Sequence, residues 1–195
     1  MLALVSPIAV YAFAMSITPG PNNIMLAASG LRFGFWRTLP LMLGINAGFI
    51  SLLAVCGTGI GALVTAEPRV SLGLKLAGSA YLLWLAWKLW HAGKPGDGAS
   101  RPLGFIGAAL FQYVNPKAWV MAVSAMAAFP DRAPDYWMGV LAVVVVFGLV
   151  NLPCIACWAL FGAGIRRWLD NPLVMTLVNR GMALLTAGCV VMILV

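Results

Sequence analysis

Acidic residues are almost missing from this 195-residue chain: Glu67, Asp97, Asp131, Asp135 and Asp170 stand against twelve lysines and arginines. Charged residues make up 9% of the sequence, where soluble domains carry about a quarter. With 63% hydrophobic residues and a mean hydropathy of +0.98, the chain has too little polar surface for a soluble fold. It reads as an all-α integral membrane protein.

The scarce groups also exclude chemistry. All five acids fall in connectors between apolar runs, so a buried carboxylate proton relay of the usual kind is not expected. The single histidine, His91, sits at the end of a predicted helix and reads as an interface residue rather than a switch. Four cysteines are present, and Cys154 and Cys157 have CxxC spacing. No second pair and no histidine accompanies them, so they read as small apolar filler, as do Cys56 and Cys189. No metal, no cofactor and no catalytic residue is expected, because no nucleophile has a base at hand and no glycine-rich loop follows a strand. The formal charge of +7 lies mostly in short connectors without interleaved aromatics, which points to membrane orientation rather than nucleic acid. The first charge is Arg32, so the basic n-region of a secretory signal is missing. Despite a cleavage-like AFA at 12–14, residues 2–18 are expected to be retained.

What the chain does have is six apolar stretches, 2–29, 38–65, 70–90, 103–129, 136–163 and 172–194. Each is long enough to cross about 30 Å of hydrocarbon, which predicts one transmembrane domain over 1–195. Arg32, Arg37, Lys94, Arg101, Arg166 and Arg167 load connectors one, three and five, while connectors two and four hold only Arg69 and Arg132, each near an acid. That bias predicts connectors one, three and five in the cytoplasm and both termini outside. Trp84, Trp87, Trp90, Tyr136 and Trp137 fit interfacial belts, and Lys75 and Arg180 are expected to snorkel.

The spans divide into halves 1–91 and 103–195, joined by a Gly/Pro-rich linker, 92–102. Three spans per half place the halves upside down relative to each other. "GPNNIMLAAS" (20–29) aligns with "NPKAWVMAVS" (115–124) at a proline, an alanine and a serine. Asn46 and Asn151, and Lys75 and Arg180, are each 105 residues apart. The predicted architecture is six transmembrane helices as two inverted three-helix repeats, the first helix of each half broken by proline. A pair of Gly/Pro-interrupted spans in corresponding places points to a transporter site.

At the first break, "SITPGPNN", Pro19 and Pro21 free the carbonyls of Met15 and Ile17. Thr18 before Pro19, or Gly20 before Pro21, opens a new helix whose first amides, at Asn22, Asn23 and Ile24, lack helical partners. At the second, "QYVNPKAW", Asn115 is a cap, Pro116 a first helical residue and Lys117 a cation in the first turn; the carbonyl of Gln112 is expected to be free. A zwitterion needs amides or a cation for its carboxylate and carbonyl or amide oxygens for its ammonium. The expected substrate-binding set is therefore Thr18, Pro19, Gly20, Pro21, Asn22, Asn23, Gln112, Asn115, Pro116 and Lys117. Asn46 and Asn151 are candidates for the cavity wall, though their commoner role is an interhelical hydrogen bond. The small residues of "GTGIGAL" (57–63) and "FGAGI" (161–165) read as close helix packing.

"TPGPNN" (18–23), "NPKAW" (115–119), "LKLAGSAYLLWLAWKLW" (74–90) and "CWALFGAGIRRWL" (157–169) resemble the LysE/RhtB family of bacterial amino-acid exporters, over essentially the whole chain. The third-span and "CWALFGAG" wording is most similar to its cysteine/O-acetylserine branch. The resemblance implies six spans in the cytoplasmic membrane and export of cysteine, O-acetylserine, homoserine, threonine or similar. It also implies coupling to protons or another ion; a homo-oligomer, a dimer, is expected for a chain this small. One departure stands out: many relatives carry aspartate after PGP, and here that place is Asn22. Protons would then pass through water, a connector acid or the substrate's amino group, or the protein would be an uncoupled facilitator. A membrane thiol carrier of inverted-repeat type is the competing function, but it needs a cysteine at each break, and neither break has one.

Overall fold

The computed structural model describes residues 2–91, 103–166 and 172–194; the linker 92–102 and the second basic residue of connector five lie outside them. The elements are α1 (Leu2–Ile17), α2 (Pro21–Phe33), α3 (Phe35–Gly57), α4 (Ile60–Ala66), α5 (Pro68–Trp90), α6 (Phe105–Phe111), α7 (Pro116–Ala128), α8 (Tyr136–Arg166) and α9 (Pro172–Leu194). Short 3₁₀ turns, Gln112–Val114 and Pro130–Arg132, follow α6 and α7. No strand occurs among the described residues.

Proline decides where the first span breaks. α2 starts at Pro21, with Gly20 in extended conformation before it, because proline has no amide to leave unpaired at a first helical position. α1 and α2 are bent by 58° at the interruption. α7 starts at Pro116 by the same rule, with the Asn115 side chain accepting from the amide of Lys117 at 3.2 Å. The stretch read as 38–65 is two helices: Thr58 and Gly59 turn the chain after α3, and Gly59, at φ +86°, takes a conformation that glycine adopts without strain.

By length and composition, α3, α5 and α8 are long and apolar enough to cross a membrane, and the bent pair α1–α2 is a fourth span if counted as one. α6 with its 3₁₀ turn, and the described core of α9, are shorter apolar helices.

The buried residues form two main apolar layers. One joins α1, the second half of α3, α7 and the first half of α8, around Ile8, Leu52, Ala122 and Phe147. The other joins α2, the first half of α3, α6 and the second half of α8, around Leu26, Ile45, Phe111 and Ile155. Chain direction follows from the layers: α1 and α2 pass from the first layer to the second, and α6 and α7 pass back. α3 and α8 likewise run opposite ways. Asn46 and Asn151 fall at the divide, between Ile45 and Phe49 on one helix and between Phe147 and Ile155 on the other.

Helices approach closely where glycine permits it. A side chain at Gly30 would strike the carbonyl of Ala159, and one at Gly162 the carbonyl of Ala27, which brings α2 onto α8. Gly44 and Gly48 do the same for α3 against Phe105 and Ala109 of α6. With lipid on the outside as apolar as leucine, such backbone approach is a main source of helix association. Gly162→Val therefore separates α2 from α8 and lowers stability by about 1–3 kcal/mol, read as an earlier unfolding midpoint in detergent. Gly164→Val, where nothing lies within 4 Å, leaves the midpoint close to wild type.

Candidate functional site

The two breaks meet. Asn22 Nδ2 donates to Gln112 Oε1 at 2.8 Å, and Gln112 Nε2 donates back to Asn22 Oδ1 at 3.1 Å and to the Ala108 carbonyl at 3.1 Å. Gln112 is fully buried and Asn22 half-buried. Two primary amides face to face satisfy a donor and an acceptor on each side.

The backbone groups released by the prolines are taken by side chains. Asn23 Nδ2 donates to the carbonyls of Ser16 and Thr18, both at 2.8 Å. Thr18 Oγ1 donates to the Met15 carbonyl at 2.9 Å, and the Trp158 indole donates to the Ile17 carbonyl at 3.0 Å. In the second break the Trp119 indole donates to the Tyr113 carbonyl at 2.9 Å. Two expectations are corrected here. The Gln112 carbonyl is not free, because the 3₁₀ turn gives it the amide of Asn115 at 3.3 Å. The Ile24 amide is also paired, with the Gly20 carbonyl at 3.0 Å, since the new helix makes its first bond there.

Lys117 crosses from the second break to the first. Its Nζ lies 3.0 Å from the Thr18 carbonyl, 2.9 Å from Thr18 Oγ1 and 3.2 Å from the Pro19 carbonyl. The expectation was a cation at the head of its own helix, suited to a nearby anion; instead all three of its N–H donors point at neutral oxygens of the other break. Gly20 makes the crossing possible. A β-carbon there would sit 2.8 Å from Lys117 Cδ and 3.0 Å from Nζ.

Between the breaks lies a cavity of about 20 Å³, lined by Ser16, Gly20, Asn22, Asn23, Asn115, Lys117 and Asn151 with Met15, Phe49, Ala118, Met121 and Ile155. That is room for one water, not for an amino acid, so this conformation is closed to a ligand of that size. Lys117 is the ionisable residue of that lining. Asn151 donates from Nδ2 to Asn46 Oδ1 at 2.8 Å, and Asn46 donates to the Gly148 carbonyl at 3.3 Å. Of this pair Asn151 reaches the cavity wall and Asn46 does not. Thr18, Pro19, Pro21, Gln112 and Pro116 do not line the cavity, and of these Thr18 and Pro19 are exposed.

The family model for LysE type translocators matches residues 13–195. The chain belongs to the LysE type translocator family. It is 34% identical over 165 residues to a cysteine/O-acetylserine efflux protein of Klebsiella pneumoniae subsp. pneumoniae, with 82% of each chain covered. Proteins of the same name from Escherichia coli (strain K12) and Shigella flexneri serotype 5b are 31% identical over 162 residues, again with 82% of each chain covered. No solved structure matches the chain to a significant degree. Membership of the LysE family makes this a membrane translocator and not an enzyme.

Ser16 lines the cavity and Trp158 holds the first break, and neither carried a signal in the sequence. Ser16 is an ordinary residue of an apolar helix, yet it is buried, lines the cavity, and its hydroxyl has no partner among the described residues. Trp158 bonds a carbonyl 141 residues away, beyond any local pattern. Of the expected residues, the amide pair is the most readily tested. A double-mutant cycle with Asn22→Ala and Gln112→Ala gives a coupling of about 1 kcal/mol in unfolding stability, between the mean and the maximum for pairs inside membranes.

Proposed function

We propose that this LysE-family protein exports small amino acids or close derivatives, of the cysteine and O-acetylserine kind, across the bacterial cytoplasmic membrane. The observation that carries the reading is the meeting of two proline-broken helices around one small polar cavity. The side chains of Ser16, Asn22, Asn23, Asn115 and Asn151 and one lysine line it, and they offer the oxygens for an ammonium and the donors for a carboxylate that a zwitterion requires. The substrate class follows the printed names of the relatives at 31–34% identity. The binding residues are Thr18–Asn23 of the first break and Gln112–Lys117 of the second, with Ser16 and Asn151 on the wall.

The architecture proposed for this activity is six spans in two inverted halves. The four span candidates are completed by α6 with α7 and by α9. Opposite chain directions of α1–α2 and α6–α7, and of α3 and α8, support the inversion. So does the Asn46–Asn151 bond, since residues at equivalent positions touch where they lie on a twofold axis. With this arrangement connectors one, three and five share one end of the molecule, which the basic residues assign to the cytoplasm. Both termini then face outside, and a reporter active only outside the cytoplasm works when fused to the C-terminus. Export is coupled to the proton gradient, and the closed cavity is one state of an alternating cycle.

Proteoliposomes loaded with labelled cysteine, O-acetylserine, threonine, leucine and lysine release the first two faster than protein-free vesicles when a proton gradient is imposed. Leakage of all five at the control rate would remove the exporter reading. Asn22→Ala and Lys117→Ala, inserted at wild-type levels, each lower the efflux rate about tenfold or more, the loss of roughly 1.4 kcal/mol of binding. Unchanged efflux in both would place the site elsewhere.

A further inference from the structure

We infer that the oxygens of Thr18 and Pro19 form the subsite for the substrate's ammonium group, and that Lys117 occupies this subsite until the substrate displaces it. The inference rests on the export reading and assigns one half of the same site.

An alkylammonium has three donors and no acceptor. The ring around Lys117 Nζ offers three oxygens at 2.9–3.2 Å: the Thr18 carbonyl, Thr18 Oγ1 and the Pro19 carbonyl. The number and the distances match a primary ammonium. None of the three carries charge, so the positive charge of Lys117 is solvated but not neutralised. The α-ammonium of an amino acid is the same –NH₃⁺ group on a carbon, and what holds one holds the other.

The exchange is favourable only for a zwitterion. An incoming amino acid places its ammonium in the ring and brings a carboxylate with it. The displaced Lys117 pairs with that carboxylate, so a lysine that had only neutral oxygens around it gains a counter-ion, while the net charge of the site stays one positive charge. An amine without a carboxylate would leave two cations competing for one ring. Discrimination between an amino acid and its decarboxylated amine thus resides in the lysine arm.

Space and polarity at the site agree. With the arm in place the cavity holds about 20 Å³, so the arm must move for an amino acid to enter. It crosses Gly20 with no side chain to hold it down. The buried Ser16 hydroxyl lines the same cavity without a partner among the described residues. A polar atom left unpaired there is costly in the closed state, and a ligand's polar groups would satisfy it.

The chain has four lysines, Lys75, Lys88, Lys94 and Lys117, so K75R/K88R/K94R leaves Lys117 as the sole lysine. With ¹⁵Nζ-lysine labelling of this variant in nanodiscs, saturating cysteine shifts the Lys117 resonance, and N-acetylcysteine, which has no ammonium, does not. Saturable cysteine binding with an unmoved resonance would overturn the subsite assignment alone. Absence of saturable binding for every amino acid tried would overturn the export reading and the assignment with it. In a second measurement, Lys117→Met gains affinity for cysteamine and loses affinity for cysteine, so their ratio falls about tenfold or more. A ratio equal to wild type in a variant that still binds cysteine would also overturn the assignment.

Discussion

Backbone that is not hydrogen-bonded has nowhere to go inside a bilayer. Each orphaned amide or carbonyl in hydrocarbon costs several kcal/mol, and two proline breaks create several at once. The site is the answer to that cost. Asn23 spans the first break and takes the carbonyls of Ser16 and Thr18. Trp158 reaches in from α8 for Ile17, and Trp119 turns back from α7 for Tyr113. These side chains are chosen for reach and donor count, and they hold irregular backbone beside a cavity, where a membrane protein tolerates it. Substituting any of them removes a donor from a carbonyl of irregular backbone that has no helical partner.

Close packing around the breaks follows from the same constraint. For Trp158 to reach Ile17, α8 must lie near the end of α1, and Gly30 and Gly162 allow it by letting backbone meet backbone against α2. Gly78 plays the corresponding part at the second break, where a side chain would strike the Val114 carbonyl and the ring of Pro116. Apolar clusters lie on either side of the breaks, with the polar groups between them. Asn46 and Asn151 sit among those groups, and their mutual bond ties the centre of α3 to the centre of α8.

How much of this was legible depends on the range of each cause. Proline acts on its own turn, so the helix starts at Pro21 and Pro116 could be read from a few residues. The equivalence of Asn46 and Asn151 could be read from spacing, but their contact could not, because spacing carries no distance. The Gln112 carbonyl was misjudged because a 3₁₀ turn, which keeps a bond that an α-helix would lose, leaves no mark in composition. Lys117 was recognised as a lone cation at a break. Its direction depends on how α7 docks against the end of α1, and the contacts that decide this span 99 residues. Ser16 was missed because a small polar residue in an apolar helix looks the same whether it packs or lines a cavity.

Asn22 gains meaning from what it bonds. An ionised aspartate would accept from Gln112 Nε2 but has no donor for Gln112 Oε1, so the reciprocal pair made here by the Asn22 amide is open to an acid only in its protonated form. It would also set a negative charge beside the cavity that Lys117 lines. With Asn22 the charge of Lys117 stays uncompensated among the lining residues of the closed cavity. A site with net positive charge and a saturated ammonium ring is poorly suited to a bare cation and well suited to a ligand that supplies an anion of its own. On the export reading proposed above, the amide at Asn22 leaves the counter-charge of Lys117 to come from the cargo, whose carboxylate would complete the electrostatics of the site.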